Sequence, residues 1–263
     1  MACISTPSSQ LVHCRRRLCA MATSFSPMAS SPFSSSPSSL SAPRATVGES
    51  PVARAASEKV IHLVRHGQTE MNVYLHENHW ADPNFKDPLL WDTRLTSRGQ
   101  QQAQSLSTVT STLSPRPEVV AVSPLTRAMH TAQLAFPSYQ SEARWVAQPD
   151  ARERLYHSSD IGRPVDELRG DGYHFVDYSL IEEEETWWGG DPYVLKPLEP
   201  EESFKGRMVN LTRWLASLDE DCVALVCHWG VLYHLTDRQF ANCELMTVRL
   251  GDLTTFKDRC CCA

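Results

Sequence analysis

Acidic side chains and lysine are almost missing from the first 56 residues, which contain five arginines, no lysine and a single acid, Glu49. The stretch is rich in serine, alanine and proline, and it contains no apolar run long enough for a secretory signal. Such a composition cannot bury enough apolar surface to fold alone. An Arg- and Ser-rich, acid-poor N-terminus is typical of an organellar transit peptide. We therefore predict a disordered, transit-peptide-like leader over residues 1–56 and a plastid (chloroplast) location; a disordered cytosolic tail is the alternative.

Long hydrophobic runs and an excess of basic charge are also missing. The whole chain carries a net charge of −6, and the leader contributes +4, so the remaining residues carry −10. An acidic domain binds nucleic acid poorly, because that binding depends on neutralising phosphates with Lys and Arg. No apolar stretch reaches the roughly 20 residues of a membrane span. We predict a soluble, enzyme-sized domain without nucleic-acid or membrane partners.

What the chain does contain is an alternation of strand and helix patterns. Short apolar runs predict buried strands, and amphipathic stretches that begin at a capping residue predict helices. Strands alternating with helices indicate an α/β sandwich with a mostly parallel sheet. The predicted strands are 60–64, 118–123, 144–147 and 222–227, with a closing edge strand at 244–250; the predicted helices are 96–113, one starting at Ser123-Pro124, 201–218 and 231–240.

The first predicted strand ends in Arg65, His66 and Gly67. Ligands bind at the carboxyl edge of open α/β sheets. An arginine there can grip two oxygens of an anion with its planar guanidinium, while a neighbouring imidazole can attack phosphorus. This pairing favours a phosphoryl group as the ligand.

Four separated motifs support that interpretation. Together they resemble the histidine phosphatase superfamily, in its phosphoglycerate-mutase-like branch, over roughly residues 58–250. The first is Arg-His-Gly-Gln-Thr at 65–69 with Asn72; the others are Leu-Thr-Ser-Arg-Gly-Gln-Gln-Gln-Ala at 95–103, Val-Ser-Pro-Leu-Thr-Arg-Ala-Met-His-Thr-Ala at 122–132 and Val-Cys-His-Trp-Gly-Val-Leu at 226–232.

The resemblance implies a three-layer α/β/α sandwich over residues 57–255, in which 157–200 covers the substrate. It also implies a role for each matching residue. His66 becomes the nucleophile, Arg65 and Arg127 bind the phosphate, and His228 donates a hydrogen bond to the transferring phosphoryl group. Glu153 becomes the general acid for the leaving alkoxide, with Asp150 and Asp160 as alternatives.

Further residues are predicted to support this site. Thr69 and Asn72 bind the phosphate or hold the loop, with helix capping as the other interpretation of Thr69. Trp229 replaces the small residue that the family usually has after its second histidine, and we expect it to narrow the floor of the pocket. The run 182–185 of four glutamates is expected to be a solvated helix start. Its alternative role is to select substrates, with Trp187 and Trp188 stacking on a ring of the substrate.

The sequence shows no carboxylate cluster for a divalent metal, and we expect neither a metal nor another cofactor. Arginine side chains must then supply the positive charge that phosphoryl transfer needs. Cys222, Cys227 and Cys243 are expected to be reduced thiols. The cysteine-rich tail 256–263 ends in Cys-Cys-Cys-Ala, a formal prenylation box whose middle residues are not aliphatic.

The predicted function is metal-independent hydrolysis of a small phosphate ester through a phosphohistidine. A phosphoglycerate mutase is the nearest alternative, although Glu-Arg-Leu stands at 153–155 where the mutases have Glu-Tyr-Gly. A cysteine-dependent phosphatase is another, because Cys243 and Arg249 have the required spacing, and a non-catalytic binding protein of the same fold is the last.

Overall fold

The computed structural model describes residues 51–181, 186–188 and 198–255, with side chains from residue 55 onward. Its centre is a five-stranded sheet in the order β3-β2-β4-β1-β5. The strands are β1 (Val60–Arg65), β2 (Val119–Val122), β3 (Arg144–Ala147), β4 (Cys222–Cys227) and β5 (Leu245–Arg249). The helices are α1 (Pro51–Glu58), α2 (Glu70–Glu77), α3 (Ser97–Thr110), α4 (Thr126–Ala135), α5 (Val165–Leu168), α6 (Glu201–Ser217) and α7 (Trp229–Thr236).

The sheet is parallel except at one edge. β4 lies between β1 and β2 and pairs with both in parallel, in a register that aligns Arg65 with Cys227 and Val122 with Val226. β3 continues the parallel sheet beside β2. β5 runs antiparallel to β1 and closes that edge. The predicted α/β class, the mostly parallel sheet and the closing edge strand are therefore confirmed.

Helices cover both faces of this sheet, since alternate strand residues point to opposite sides. On one face Ile61 and Leu63 of β1 pack with Met208 and Leu211 of α6 and with α7. On the other face Val64, Val120 and Val122 pack with Met129 of α4. These side chains are almost completely buried, and each contributes about 1.5–3 kcal/mol of transfer free energy to folding. The three-layer arrangement follows from strands that are apolar on both faces.

Two helix boundaries differ from the prediction. α4 begins at Thr126 rather than at Ser123-Pro124, and its cap comes from outside the segment, because the carboxylate of Asp92 accepts a hydrogen bond from the Thr126 amide at 2.8 Å. Ser123 does not cap this helix, because its Oγ accepts from the Leu125 amide, before the helix begins, and lies beside His228 Nε2. α7 ends at Thr236, four residues before the predicted end, where Asp237 adopts a left-handed conformation.

The predicted covering segment, residues 157–200, packs beside β3. Asp177 exchanges backbone hydrogen bonds with Trp145 and Ala147 at 2.9 Å and so extends the sheet edge. Trp187 and Trp188 are 2% and 4% exposed. They fill the core between this segment and the sheet, so the alternative in which they stack on a substrate is wrong. The glutamate run 182–185 lies outside the described residues.

The chain ends are described only in part. Helix α1 includes residues 51–56, so the last residues of the predicted leader are helical. Residues 1–50 and the tail 256–263 lie outside the described residues, and the predictions for the leader and for Cys260–Cys262 stay predictions. No helix in the described part of the chain is long and apolar enough to cross a membrane.

Candidate active site

The carboxyl ends of three neighbouring parallel strands bring the predicted residues together. His66 follows β1, Ser123 follows β2 and His228 follows β4. The amides of His66 and Ser123 both donate to β4, to Cys227 O and Val226 O at 3.0 Å, which fixes the three strand ends side by side. The ring centroids of His66 and His228 lie 5.1 Å apart. Two imidazoles that are 162 residues apart in sequence thus share one site, as the motifs predicted.

His66 is held in one tautomer. Its Nδ1–H donates to Gly67 O at 2.8 Å, because a carbonyl oxygen can only accept, and the lone pair of the neutral ring therefore lies on Nε2. The side chain is 4% exposed. Burial, and then the charges of Arg127 and Arg65, lower the pKa of His66 well below its usual value. The ring is therefore neutral, with Nε2 as the nucleophilic atom.

The loop after His66 is positioned by a contact between two glycines from separate motifs. A Cβ at Gly67 would lie 2.6 Å from Gly99 O, and a Cβ at Gly99 would lie 2.0 Å from Gln68 O. Backbones this close leave no room for any side chain. The glycines of the first and second motifs therefore serve one purpose, which is to seat the loop against the start of α3.

Thr69 and Asn72 hold the same loop rather than facing the imidazoles. Thr69 caps α2, and the two residues form a reciprocal capping box: Thr69 Oγ1 accepts from the Asn72 amide and Asn72 Oδ1 accepts from the Thr69 amide, both at 3.1 Å. Asn242 Nδ2 bridges Asn72 Oδ1 and His66 O at 3.2 and 3.0 Å. The capping interpretation therefore applies to Thr69, and Asn72 supports the loop. Asn242 was not anticipated.

Arg65 lies at the end of β1 with part of its guanidinium uncommitted. Its Nη1 donates to Phe240 O at 2.6 Å. Its Nε is buried and has no hydrogen-bond partner among the described residues. Burial lowers the pKa of Arg65, while the carboxylate of Glu153 opposes that shift. A buried donor without a partner is unfavourable, and an anion bound beside His66 would satisfy it.

Arg127 lies at the start of α4, and each nitrogen of its guanidinium has a partner. It is 3% exposed. Its Nε donates to His228 Nδ1 at 3.2 Å, its Nη1 donates to Ser159 O, and its Nη2 pairs with Asp160 Oδ1 at 2.8 Å. The guanidinium thus lies beside His228, and a carboxylate from the covering segment already pairs with it.

His228 is completely buried, and both of its ring nitrogens have protein partners. Nδ1 accepts from Arg127, so the proton of the neutral ring is on Nε2, which lies 2.7 Å from Ser123 Oγ. Burial, and then the charge of Arg127, lower the pKa of His228 well below its usual value. In this arrangement His228 orients Arg127. The hydrogen bond that we expected from His228 to a phosphoryl group would have to replace the one to Ser123.

Glu153 lies beside this cluster at the start of α7. Its Oε2 accepts from the Gly230 amide at 3.0 Å and its Oε1 accepts from the Arg154 amide at 2.8 Å. A Cβ at residue 230 would lie 2.4 Å from Oε1, so glycine there makes room for the carboxylate. Burial, and then the charge of Asp160, raise the pKa of Glu153, and the two amides oppose the increase.

Arg207 of α6 holds the segment that carries Glu153, and the sequence patterns did not reveal it. Its Nη1 donates to the carbonyls of Asp150 and Arg152 at 2.6 and 2.8 Å. Its Nε and Nη2 form a two-point pair with the carboxylate of Glu199 at 2.9 and 2.6 Å. An arginine on the buried face of an amphipathic helix was the only available signal. Asp150 contributes its backbone to this network, whereas Asp160 pairs with Arg127, so Glu153 is the candidate acid that remains.

Trp229 does not form the floor of the pocket. Its indole is 39% exposed, stacks on Tyr233 with centroids 5.4 Å apart, and donates to Gln239 Oε1 at 2.7 Å. As the first residue of α7, it directs its side chain along the outside of the helix, because Tyr233 lies one turn further on the same face.

The cysteine alternative lacks a suitable site. Burial raises the pKa of Cys243 to about 12, and a thiol must ionise to act as a nucleophile. Arg249, its expected partner, lies on β5 with its side chain 59% exposed and in an ion pair with Glu58. Cys222, Cys227 and Cys243 are all free thiols, as predicted.

Comparisons with known proteins agree with the motifs. The family model of the histidine phosphatase superfamily (branch 1) matches residues 61–253. Phosphoglycerate mutase-like protein 1 of Arabidopsis thaliana is 28% identical over 243 residues, which cover 74% of this chain and 82% of that protein. Phosphoglycerate mutase-like protein 2 of the same plant is 26% identical over 264 residues, covering 74% of each.

Among solved structures, the ecdysone phosphate phosphatase from Bombix mori in complex with tungstate is 19% identical. It aligns with 73% of this chain and 90% of that chain at a TM-score of 0.45. The match to the family model covers most of the described domain and includes both histidines and both arginines of the site. The chain therefore belongs to the histidine phosphatase superfamily, branch 1, and is a phosphoryl-transfer enzyme of the phosphatase or mutase type.

Proposed function

We propose that this protein is a phosphomonoesterase that acts on a small phosphorylated metabolite through a phosphohistidine intermediate on His66 and needs no metal. The observation that carries the proposal is the state of His66. It is a neutral imidazole fixed with its lone pair on Nε2, and it lies among two arginines and a second histidine. A neutral imidazole is a good nucleophile toward phosphorus when nearby cations stabilise the charge on the phosphoryl oxygens.

In the first step Nε2 of His66 attacks phosphorus and the ester P–O bond breaks. Arg65 supplies the uncommitted Nε donor to a phosphoryl oxygen, and Arg127, oriented by His228, adds a second guanidinium. Glu153 gives its proton to the leaving alkoxide, which departs as an alcohol. Its raised pKa suits this role, since a general acid must still carry its proton near neutral pH.

In the second step water attacks the phosphohistidine. The Glu153 carboxylate, which lost its proton in the first step, takes one from the water, and the N–P bond breaks to regenerate neutral His66. The net reaction converts an ester and water into an alcohol and inorganic phosphate. A single carboxylate thus serves as acid and then as base.

The residues favour arginine side chains, rather than a metal ion, as the source of positive charge for phosphoryl transfer. The described residues contain no group of three or more His, Cys, Asp and Glu side chains that could hold a metal ion. The guanidinium groups of Arg65 and Arg127 offer positive charge and planar pairs of donors for phosphoryl oxygens. We therefore expect activity in the presence of EDTA.

A phosphoglycerate mutase is the second candidate, and the names of the two Arabidopsis relatives favour it. A mutase would use the same phosphohistidine but return the phosphoryl group to a second hydroxyl of the substrate. Transfer between phosphoglycerates without net release of phosphate would favour the mutase. A non-catalytic role is opposed by the presence of Arg65, His66, Arg127 and His228 in one site.

The test is hydrolysis of p-nitrophenyl phosphate in EDTA by the wild type, by His66→Ala and by His76→Ala, an exposed control on α2. We expect His66→Ala to lower kcat by at least about 10³-fold and His76→Ala to leave it unchanged. Mass spectrometry after an alkaline quench should find a phosphoryl group on the peptide that contains His66. Activity that survives His66→Ala would exclude the mechanism.

A further inference from the structure

One buried charged residue in the site has no part in the mechanism above. Asp160 is 4% exposed and pairs with Arg127 at 2.8 Å. Its carboxylate forms an ion pair with the same guanidinium that the proposed mechanism uses to bind the phosphoryl group. The protein thus places a negative charge of its own at the position where the phosphoryl group is proposed to bind.

The covering segment fixes this carboxylate firmly. Asp160 closes a short turn, Ser158–Asp160, and its Oδ2 accepts from the amides of Tyr156 and His157 at 3.1 Å. The turn is tied down in its own right, because Asp87 accepts from the Ser158 amide at 2.8 Å. Asp160 therefore has partners besides Arg127, and the fold of the covering segment itself holds its carboxylate beside that guanidinium.

The charge balance of the site depends on Asp160. His66 and His228 are neutral, because burial and the nearby arginines lower their pKa values. Burial and the charge of Asp160 raise the pKa of Glu153, and the proposed mechanism starts with this residue protonated. Arg65 and Arg127 then contribute two positive charges, of which Asp160 cancels one. Without Asp160 a buried guanidinium would have no counter-charge, a state that strongly favours binding of any small anion.

We propose that Asp160 determines how tightly the site holds phosphate: by neutralising Arg127 it weakens the binding of inorganic phosphate and lets the product leave. This inference rests on the proposed function, because it takes Arg127 as part of the phosphate site. A doubly charged phosphate must share the guanidinium of Arg127 with a fixed carboxylate and is repelled by it. The same repulsion acts on a phosphate ester, but contacts of its alcohol portion elsewhere in the site offset it.

Titration calorimetry with inorganic phosphate at pH 7.5 tests this on three full-length proteins: the wild type, Asp160→Asn and Asp87→Asn. The asparagine keeps the shape of Asp160 and removes its charge. Asp87→Asn is the matched control, because it weakens the same turn without changing the charge beside Arg127. We expect Asp160→Asn to bind phosphate at least ten-fold tighter, and Asp87→Asn to bind within about two-fold of the wild type.

Competition by inorganic phosphate in the hydrolysis assay gives a second readout, and we expect the inhibition constant to fall by the same factor in Asp160→Asn. A merely structural Asp160 would give weaker binding instead, because Arg127 would lose its support. Equal or weaker binding by Asp160→Asn overturns the inference. Equal tightening in Asp87→Asn would also overturn it, because the effect would then come from the turn and not from the charge.

Should Asp160→Asn fail to fold in ordinary buffer, refolding in added inorganic phosphate decides the question. If the folded protein is recovered with phosphate, but not with sodium chloride at the same ionic strength, the variant failed to fold because Arg127 lacked a counter-charge. That result supports the inference. No recovery overturns the inference. The proposed function fails by a different observation, activity that survives His66→Ala, so the two failures are distinguishable.

Discussion

The two arginines near His66 have different surroundings, although both are predicted to bind the same group. Arg65, at the end of β1, has a backbone partner at Phe240 and a buried Nε without one. Arg127, at the start of α4, has an imidazole, a carbonyl and a carboxylate. The guanidinium of Arg65 has a donor free to bind an anion, whereas the guanidinium of Arg127 is already paired with the carboxylate of Asp160. Binding at the first satisfies a donor, while binding at the second must compete with Asp160.

The largest expected effect comes from removing the open arginine. Arg65→Ala should lower kcat/KM by about 10³-fold, because its buried Nε is free to bind the substrate. Arg127→Ala, made together with Asp160→Asn so that no buried carboxylate is left unpaired, should cost less, about 10²-fold, since the pair that is removed carries no net charge. Steady-state kinetics on p-nitrophenyl phosphate measure both. Arg249→Ala, which removes an exposed arginine on β5, is the control and should be neutral. Equal losses at the two positions would contradict the comparison.

The role of Glu153 is tested by changing the leaving group. Glu153→Gln should lower kcat by about 10²-fold on an alkyl phosphate, whose alkoxide needs a proton. On p-nitrophenyl phosphate, the leaving group is stable as an anion and needs no proton. The rate of the first step, transfer of the phosphoryl group to His66, should therefore fall only a few-fold. Activity of the wild type on the alkyl ester should fall as the pH rises above the raised pKa of Glu153, because the acid is then deprotonated. Glu142→Gln, at an exposed site, serves as the control. A loss that is independent of the leaving group would contradict the assignment.

Replacing Arg207 tests whether catalysis depends on the position of Glu153 as well as on its carboxyl group. Arg207→Met should lower the free energy of unfolding by about 3–5 kcal/mol, because the buried carboxylate of Glu199 loses its two-point pair with Arg207 and keeps Arg152 at 3.6 Å. It should also reduce kcat by about ten-fold through displacement of Glu153. Urea unfolding and kinetics give the two numbers. Arg213→Met, at an exposed arginine of the same helix that bonds Asn210, should change neither.

The smallest expected effect concerns stability at low pH. The pKa values of His66 and His228 are lowered in the folded protein, so below an unfolded-state pKa of about 6.5 the unfolded chain binds more protons. Each histidine should therefore remove up to about 1.4 kcal/mol of stability per pH unit as the pH falls from about 6.5. Urea titrations between pH 7 and 5 measure this slope. His66→Asn should reduce it, and His76→Ala should not. An unchanged slope in His66→Asn would mean that folding does not lower the pKa of His66.

Short sequence signals predicted the fold and the central cluster because each signal is local. A buried strand that ends in Arg-His-Gly, and another that ends before His228, are enough to place two imidazoles at one sheet edge. The position of α4 was missed by three residues, because its cap is Asp92, from a distant loop. Trp187 and Trp188 were open to either role in the sequence, and burial in the core decides between them.

The residues that modify the site were less accessible to sequence reasoning. Three contacts join distant segments: the pairing of Asp160 with Arg127, the hydrogen bonds of Arg207 to two carbonyls near Glu153, and the bond between His228 and Ser123. No spacing rule predicts such contacts, because they depend on how the covering segment packs on the sheet. Trp229 shows the same limit: its sequence neighbour His228 is at the centre of the site, while its own side chain lies on the outside of α7.

The contact between Glu153 and Gly230 has a consequence for the helix as well as for the substrate. The carboxylate to which the proposed mechanism assigns the catalytic proton is also the acceptor at the first turn of α7. A negative charge there is favoured by the helix dipole, and a neutral acid is not. Under the proposed mechanism, we therefore expect the start of α7 to be stabilised when Glu153 loses its proton and destabilised when the proton returns.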